Sequence, residues 1–167
     1  MVNENDEAIG RMEKMEAHRK ALLHRAFSVF IFNGQGDMLL QQRALDKYHS
    51  AGLWTNACCS HPKPGEATVT GALRRLQEEL GFTTELEKVF DFVYKSAFDN
   101  GLTEYEFDHV FVGYYEGEMS PDPREVSQVS YLSMEDIEEA MRENPGQFTA
   151  WFHIAMPMIK NWLCRRA

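Results

Sequence analysis

The segment GEATVTGALRRLQEELGF, residues 65–82, carries the strongest structural signal in the chain. Its apolar residues Val69, Leu73, Leu76 and Leu80 recur at the spacing that places side chains on one face of a helix. Gly81 follows the last of them, and glycine readily adopts the left-handed backbone found at the end of a helix. The pattern therefore predicts a helix that ends at Gly81.

The same segment resembles the Nudix signature G-x5-E-x7-R-E-U-x-E-E-x-G-U, where U is an apolar residue. The residues that match it are Glu66, Arg74, Leu76, Glu78, Glu79, Gly81 and Phe82. In that family the segment gathers carboxylates around Mg²⁺, which prefers oxygen ligands and joins carboxylates to phosphates. Two positions differ, because Ser60 replaces the first glycine and Arg75 replaces a metal-binding glutamate. Arg75 weakens the case for diphosphate hydrolysis and provides a guanidinium that can bind a phosphate.

The overall composition is that of an ordinary globular protein and limits the classes of partner. The chain has 167 residues and a formal net charge of -9, so we expect one domain, residues 1–167, that binds no nucleic acid. Three cysteines, no secretory segment and no long apolar run predict a cytoplasmic protein without disulfides or membrane contact. Residues 1–12 are polar and acidic, and we expect them to be mobile.

Hydrophobic patterning along the chain predicts paired strands with helices between and after them. A hairpin is indicated at 25–44, where NGQGD separates two apolar runs. Helices are indicated by the pattern of 13–24, 133–144 and 149–166, with Pro157 either kinking the last one or lying in its first turn. Further strands are predicted at 54–61, 87–98, 104–117 and within 119–133. The fold class is a mixed β-sheet sandwiched by helices, of the α+β or α-β-α type.

Five potential metal ligands are spread over the first two thirds of the chain: His18, His24, His61, Glu104 and Glu106. The two glutamates of EYE lie on one face of a strand, because side chains alternate along it. Three imidazoles and two carboxylates would suit Mn²⁺ or Zn²⁺. Isolated histidines are more often surface or core residues, and paired glutamates often face solvent, so spacing alone leaves both interpretations open.

Two adjacent cysteines, Cys58 and Cys59, lie in the stretch TNACCSHP, residues 55–62. Neighbouring cysteines are poorly placed to form a disulfide with each other. Taken alone, the stretch is consistent with a metal site, with a reactive thiol, or with buried core cysteines beside His61.

Most of the chain, from about residue 13 to residue 157, resembles type I isopentenyl-diphosphate delta-isomerases, which have the Nudix fold. The stretches that carry the resemblance are EAHRKALLHRAFSVFIFN, MLLQQRALDK, GLWTNACCSHP, RRLQEELG, YEFDHVF and FTAWFHIAMP. The resemblance implies interconversion of isopentenyl and dimethylallyl diphosphate, with Mg²⁺ and one further divalent ion, Mn²⁺ or Zn²⁺, as cofactors. We expect a monomer or a weak homodimer.

The resemblance also assigns roles to individual residues. Cys59 falls on the catalytic cysteine, and Glu106 on the second acid/base group. Tyr94 falls on a hydrogen-bonding tyrosine and Trp151 on a tryptophan that faces the isoprenoid. The metal site corresponds to His18, His24, His61, Glu104 and Glu106, and Glu79 to the Mg²⁺ ligand beside the diphosphate. The residues on or near diphosphate-binding positions are Lys14, Arg43, Lys47, Ser60 and Arg75.

This chemistry suits those residue types. Moving a double bond requires a proton added at one carbon and another removed elsewhere, through a tertiary carbocation. A carboxyl group polarised by a metal is a suitable donor, and an aromatic face stabilises the cation. Cys59 would serve as the base if its surroundings lowered its pKa from about 8.5.

Two other functions remain open from the sequence. One is a Nudix diphosphohydrolase that uses Glu66, Glu78 and Glu79, against which Arg75 argues. The other is a metal-binding protein without catalytic activity.

Overall fold

A seven-stranded mixed sheet forms the centre of the molecule, in a computed structural model that describes residues 1–166. The helices are α1 Lys14–Arg19, α2 Thr68–Leu80, α3 Met134–Glu143 and α4 Ala150–Cys164, with a 3-10 turn at Pro145–Gln147. The strands are β1 His24–Phe32, β2 Met38–Arg43, β3 Trp54–Asn56, β4 Cys58–Ser60, β5 Leu86–Ala97, β6 Thr103–Tyr114 and β7 Val126–Leu132. The principal strand order is β3-β2-β1-β6-β5, with β4 pairing β1 and β7 pairing β2.

Strand β1 lies at the middle of the sheet and is buried on both faces. Phe27, Val29 and Ile31 belong to a core cluster shared with α2, whereas Phe30 and Phe32 belong to a second cluster shared with α3 and α4. This alternation follows from the two-residue period of a strand. The sheet therefore lies between helices, which confirms the predicted fold class.

Helix α2 has the predicted face and the predicted end. Leu76 and Leu80 are completely buried, and each such side chain contributes roughly 1.5–3 kcal/mol of transfer free energy. Gly81 has a φ of 80°, and its N–H donates to the carbonyl of Gln77. A β-carbon at this position would also lie 2.9 Å from Cβ of Ser120, so glycine is required for space as well as for backbone conformation.

Three segments differ from the pattern predicted by the sequence. The stretch 54–61 forms two short strands, because β3 pairs with β2 whereas β4 pairs with β1. The helical pattern of 13–24 is helical only over α1, and His24 already belongs to β1. Pro157 is the eighth residue of α4 and so does not lie in its first turn.

The first twelve residues make specific contacts despite their polar composition. Val2 is buried and its N–H donates to the carbonyl of Leu23. The Asp6 carboxylate lies 2.6 Å from Nε of Arg25 and 3.1 Å from Nε2 of His109. The mobility of residues 1–12 stays a prediction, and substitution of a residue that makes these contacts can test it.

Within residues 1–166, no helix combines the length and apolar character needed to cross a membrane.

Candidate active site

Three histidines and one glutamate meet at the beginning of β1. The parallel pairing of β1 with β6 places His24 beside Glu106, while His61 follows β4 and His18 comes from α1. Oε1 of Glu106 lies 2.8 Å from Nε2 of His61, 3.4 Å from that of His24 and 3.7 Å from that of His18. One ligand atom from each residue lies within 4.8 Å of those of the others.

The chemistry of this cluster fits a divalent metal ion. His18 is completely buried, and neither of its ring nitrogens has a hydrogen-bond partner among residues 1–166. Burial lowers the pKa of His61 to about 4, so its imidazole is neutral at pH 7, the form that binds metals. Three imidazole nitrogens and a carboxylate suit Zn²⁺ or Mn²⁺.

Electrostatic coupling inside the cluster favours an ionised Glu106. Burial acts to raise the pKa of this carboxyl, but the three histidines outweigh burial and hold it well below its usual range. Burial also acts to lower the pKa of His24, but the contact with Glu106 outweighs it and raises that pKa. Positive charge is therefore favoured at the centre of the cluster, whether a proton or a metal ion supplies it.

Glu104, the fifth predicted ligand, faces different partners. Its Oε1 lies 3.1 Å from Nε2 of His49, and its Oε2 lies 3.0 Å from the Tyr94 hydroxyl. The same hydroxyl lies 2.8 Å from Oε2 of Glu106. A hydroxyl has a single hydrogen, so Tyr94 donates to one carboxylate at a time. The structure thus groups four of the five predicted ligands and connects the fifth to them through Tyr94.

Cys59 lies in the pocket on the other flank of β1, where β4 pairs antiparallel with β1 and Cys59 is opposite Ser28. Its thiol donates to Oδ1 of Asn56 at 3.0 Å, and its Sγ lies 3.5 Å from Oγ of Ser28. The Ser28 hydroxyl in turn donates to Asp108 at 2.7 Å. Cys58, one residue earlier, is completely buried in the core shared with α2.

The surroundings of Cys59 do not meet the condition stated for a base, because they raise the pKa of the thiol. Burial is the main cause, and the neighbouring Asp108 carboxyl acts in the same direction. The protonated thiol is therefore the stable form at neutral pH in this environment.

Basic side chains gather in the same pocket despite the net negative charge of the chain. They are Lys14, Arg43, Lys47 and Arg75, beside Ser60. Arg75 donates to Oε1 of Glu79 at 2.7 Å and lies 3.3 Å from Glu125, which also pairs with Lys47. Glu79 is buried and accepts a second hydrogen bond from Gln41 at 3.0 Å. Cations and carboxylates side by side are suited to a diphosphate accompanied by Mg²⁺.

One pocket brings together nearly all the residues that the sequence singles out. Cys59, Tyr94, Glu104, Glu106 and Trp151 line it together with the basic residues and Glu79. His18 and His24 do not line this pocket, although Nε2 of each lies within 3.7 Å of Oε1 of Glu106.

Sequence reasoning missed several polar residues of this site. These are Ser28, Gln41, His49, Asn56, Asp108 and Glu125. Asp108 could have been found, since it continues the two-residue period of Glu104 and Glu106 along β6. The others depend on contacts between distant segments, which no local pattern marks.

Comparisons with known proteins agree with this architecture. The NUDIX domain model matches residues 22–152. An isopentenyl-diphosphate Delta-isomerase of Serratia proteamaculans is 49% identical over 152 residues, which cover 91% of this chain and 85% of that protein. A protein of the same name from Burkholderia multivorans is 46% identical over 170 residues, covering 99% of this chain and 97% of its own. Among solved structures, the MutT protein of Methanosarcina mazei Go1 superposes with a TM-score of 0.70 at 20% identity, covering 83% of this chain and 94% of that one.

Proposed function

Because the chain belongs to the NUDIX family and, within it, to the isopentenyl-diphosphate Delta-isomerases, we propose that its pocket adds and removes protons at two ends of an isoprenoid double bond. The enzyme interconverts isopentenyl diphosphate and dimethylallyl diphosphate. We propose which residues of this chain transfer protons, which bind the substrate and its ions, and which stabilise the carbocation.

The placement of Cys59 and Glu106 carries the proposal. The two residues come from β4 and β6, which pair with opposite edges of β1, and both line the same pocket. A substrate held between them would have one proton-transfer group on each flank. Isomerisation needs this arrangement, because the proton is gained at one carbon and lost at another.

The proton balance follows from this placement. Glu106, assisted by the Tyr94 hydroxyl, delivers a proton to the terminal carbon of isopentenyl diphosphate, and the double-bond electrons form the new C–H bond. This leaves a tertiary cation. The Cys59 thiolate then takes a proton from the neighbouring methylene, and the electrons of that C–H bond form the internal double bond. Cys59 ends as a thiol and Glu106 as a carboxylate, so a proton has to return to Glu106 before the next turnover.

The stable forms of both groups, the Cys59 thiol and the Glu106 carboxylate, match the end of that sequence, so the forward reaction begins once a proton has passed from Cys59 to Glu106. They also match the start of the reverse reaction, in which the thiol donates and the carboxylate accepts. Transfer of one proton between Cys59 and Glu106 therefore prepares the enzyme for either direction of the isomerisation.

Other residues would hold the substrate and its ions. Lys14, Arg43, Lys47, Ser60 and Arg75 are proposed to bind the diphosphate. Glu79 would hold Mg²⁺ beside the diphosphate. A second divalent ion would be held by His18, His24, His61 and Glu106, with Glu104 adjacent. A divalent ion in the second site supplies positive charge that makes the carboxyl group a stronger acid.

Trp151 is proposed to stabilise the cation. Its side chain is 3% exposed and lines the pocket beside Arg43, whose guanidinium carbon lies 5.4 Å from the ring centroid. An aromatic face stabilises a desolvated cation by up to about 2 kcal/mol. The indole also excludes water, which would trap the carbocation.

Incubation with isopentenyl diphosphate in D₂O tests the proposal. The parent enzyme should incorporate deuterium into the terminal methyl of dimethylallyl diphosphate, whereas Glu106→Gln should lose activity about 10²–10⁴-fold. Full activity of that variant would exclude the proposed role. Release of phosphate instead would indicate the hydrolase alternative, which the Arg75–Glu79 ion pair disfavours.

We also infer that the enzyme works in the reducing cytoplasm, since Cys58, Cys59 and Cys164 are all free thiols.

A further inference from the structure

We infer that His49 is a positioning residue for the proton-transfer centre: it holds Glu104 in place, and Glu104 holds the Tyr94 hydroxyl against Glu106. The inference rests on the isomerase mechanism proposed above. It assigns a role to the loop between β2 and β3, residues 44–53, which lies far from Glu104 in the sequence.

An unbroken series of contacts joins His49 to Glu106. Nε2 of His49 lies 3.1 Å from Oε1 of Glu104, and the two side chains are only 3% and 6% exposed. The other oxygen of Glu104 accepts from Tyr94 at 3.0 Å, and Tyr94 also lies 2.8 Å from Glu106. The contact with His49 fixes one oxygen of the Glu104 carboxylate, and this keeps the other oxygen within reach of the Tyr94 hydroxyl. The position of that hydroxyl beside Glu106 therefore depends on His49.

The contact with Ser50 is compatible with Nε2 of His49 as the hydrogen-bond donor. An ionised carboxylate only accepts hydrogen bonds, so Nε2 of His49 has to carry the hydrogen. Oγ of Ser50 lies 3.2 Å from Nδ1 of the same ring, where a hydroxyl can donate to the bare nitrogen. Ser50 has a φ of 51°, a left-handed conformation that serine adopts infrequently. Both ring nitrogens of His49 therefore have a polar partner.

Aromatic neighbours fix the plane of the His49 ring. Phe98 stacks on it at a centroid distance of 4.6 Å and an interplanar angle of 12°, and Trp151 meets it edge-on at 6.0 Å. The carbonyl of His49 also accepts from Arg43 at 3.2 Å. His49 therefore touches the Glu104 carboxylate, the proposed cation-stabilising tryptophan and a proposed diphosphate ligand.

Two substitutions separate the hydrogen bond from the packing. His49→Phe keeps an aromatic ring on Phe98 but has no donor, whereas His49→Gln keeps an N–H near the position of Nε2. We expect kcat of His49→Phe to fall about 10–100-fold, as for other residues that orient a catalytic ligand. The KM for isopentenyl diphosphate should change by less than about threefold, because the diphosphate ligands remain. His49→Gln should recover kcat to within about fivefold of the parent.

His153→Phe is the matched control. This histidine lies on α4, and its Nε2 contacts the carbonyl of Pro145 outside the pocket. Its kcat should equal that of the parent. Unchanged kcat in His49→Phe would overturn the inference, and so would equal losses in the phenylalanine and glutamine variants, because packing alone would then explain the effect.

The tautomer of His49 provides a readout on the unmodified protein. Long-range ¹H–¹⁵N correlation spectra should show a hydrogen on Nε2 of His49. A hydrogen on Nδ1 alone would overturn the inference even if the variants were too unstable to assay. An inactive parent enzyme would contradict the proposed function, while the spectra would still test the contact between His49 and Glu104.

Discussion

Nη2 of Arg75 lies 2.7 Å from Oε1 of Glu79, one helical turn further along α2. At the position of Arg75 the Nudix signature has a glutamate that contributes to metal binding. The structure therefore has the Arg75 guanidinium where the signature has a metal ligand, and the Glu79 carboxylate orients that guanidinium. If Arg75 binds the diphosphate as proposed, this exchange favours holding a diphosphate over cleaving it, because it adds an anion-binding group and removes a metal ligand.

Arg75→Gln should raise the KM for isopentenyl diphosphate with a smaller effect on kcat. A charge-assisted hydrogen bond contributes about 1.5–3 kcal/mol, which corresponds to roughly 10–100-fold in affinity. Steady-state kinetics at saturating Mg²⁺ measure the change. Arg124→Gln is the control, since Arg124 is 87% exposed and pairs with Asp122 on the surface. An effect confined to kcat would contradict the assignment of Arg75 to substrate binding.

The adjacent cysteines should give opposite results when each is replaced by alanine. Cys59→Ala should reduce kcat by about 10²–10⁴-fold with little change in thermal stability, because this thiol lines the pocket. Cys58→Ala should lower the free energy of unfolding by about 1–3 kcal/mol, because it leaves a cavity in the core, while kcat stays near that of the parent. Chemical denaturation and the isomerase assay on both variants measure the two effects. Loss of activity in Cys58→Ala without loss of stability would contradict this division.

Local sequence patterns predict most of the helices and strands, whereas the roles of the pocket residues come from the resemblance to the isomerases. Helix α2 follows from the spacing of its leucines, and the relation between Glu104 and Glu106 follows from strand alternation. The contact of His49 with Glu104 could not be predicted, since it depends on how the loop after β2 packs on β6. The division of 54–61 into two strands has the same cause, because separate partners, β1 and β2, select separate halves of the segment.

Removal of divalent ions should abolish activity and lower thermal stability, and Mn²⁺ or Zn²⁺ added together with Mg²⁺ should restore both. An ion at one hundred times its dissociation constant stabilises the folded state by about 2.7 kcal/mol. Metal analysis and thermal unfolding before and after chelation measure the effect. His18→Ala should lose bound metal, whereas His153→Ala should retain it. Equal metal content in the two variants would exclude His18 as a ligand.

Loss of the Asp6 carboxylate should release the first residues of the chain. Asp6→Asn tolerates the positive φ of 61° at this position but removes the charge that faces Arg25 and His109. Amide hydrogen exchange of residues 2–9 should accelerate while exchange in α2 stays unchanged. Identical exchange in the parent and the variant would show that these ion pairs do not hold the segment.

The ion pair between Glu66 and Arg74 should contribute stability that disappears in acid. Hydrogen bonds from Arg74 lower the pKa of Glu66 from 4.5 to about 2, and the Glu66 side chain is 13% exposed. Since the pKa is lower in the folded state, this stabilisation is complete above about pH 4.5 and is lost as the pH falls towards 2. Its size is about 1–3 kcal/mol after allowance for solvent screening.

Glu66→Gln should therefore be less stable than the parent at pH 7, and the difference should shrink as the pH falls from about 4.5 to about 2. Urea denaturation at a series of pH values measures it. Glu139→Gln is the control, because Glu139 is exposed on α3. A stability difference between the Glu66 variant and the parent that stays constant across this pH range would show that the carboxylate contributes through packing and not through its charge.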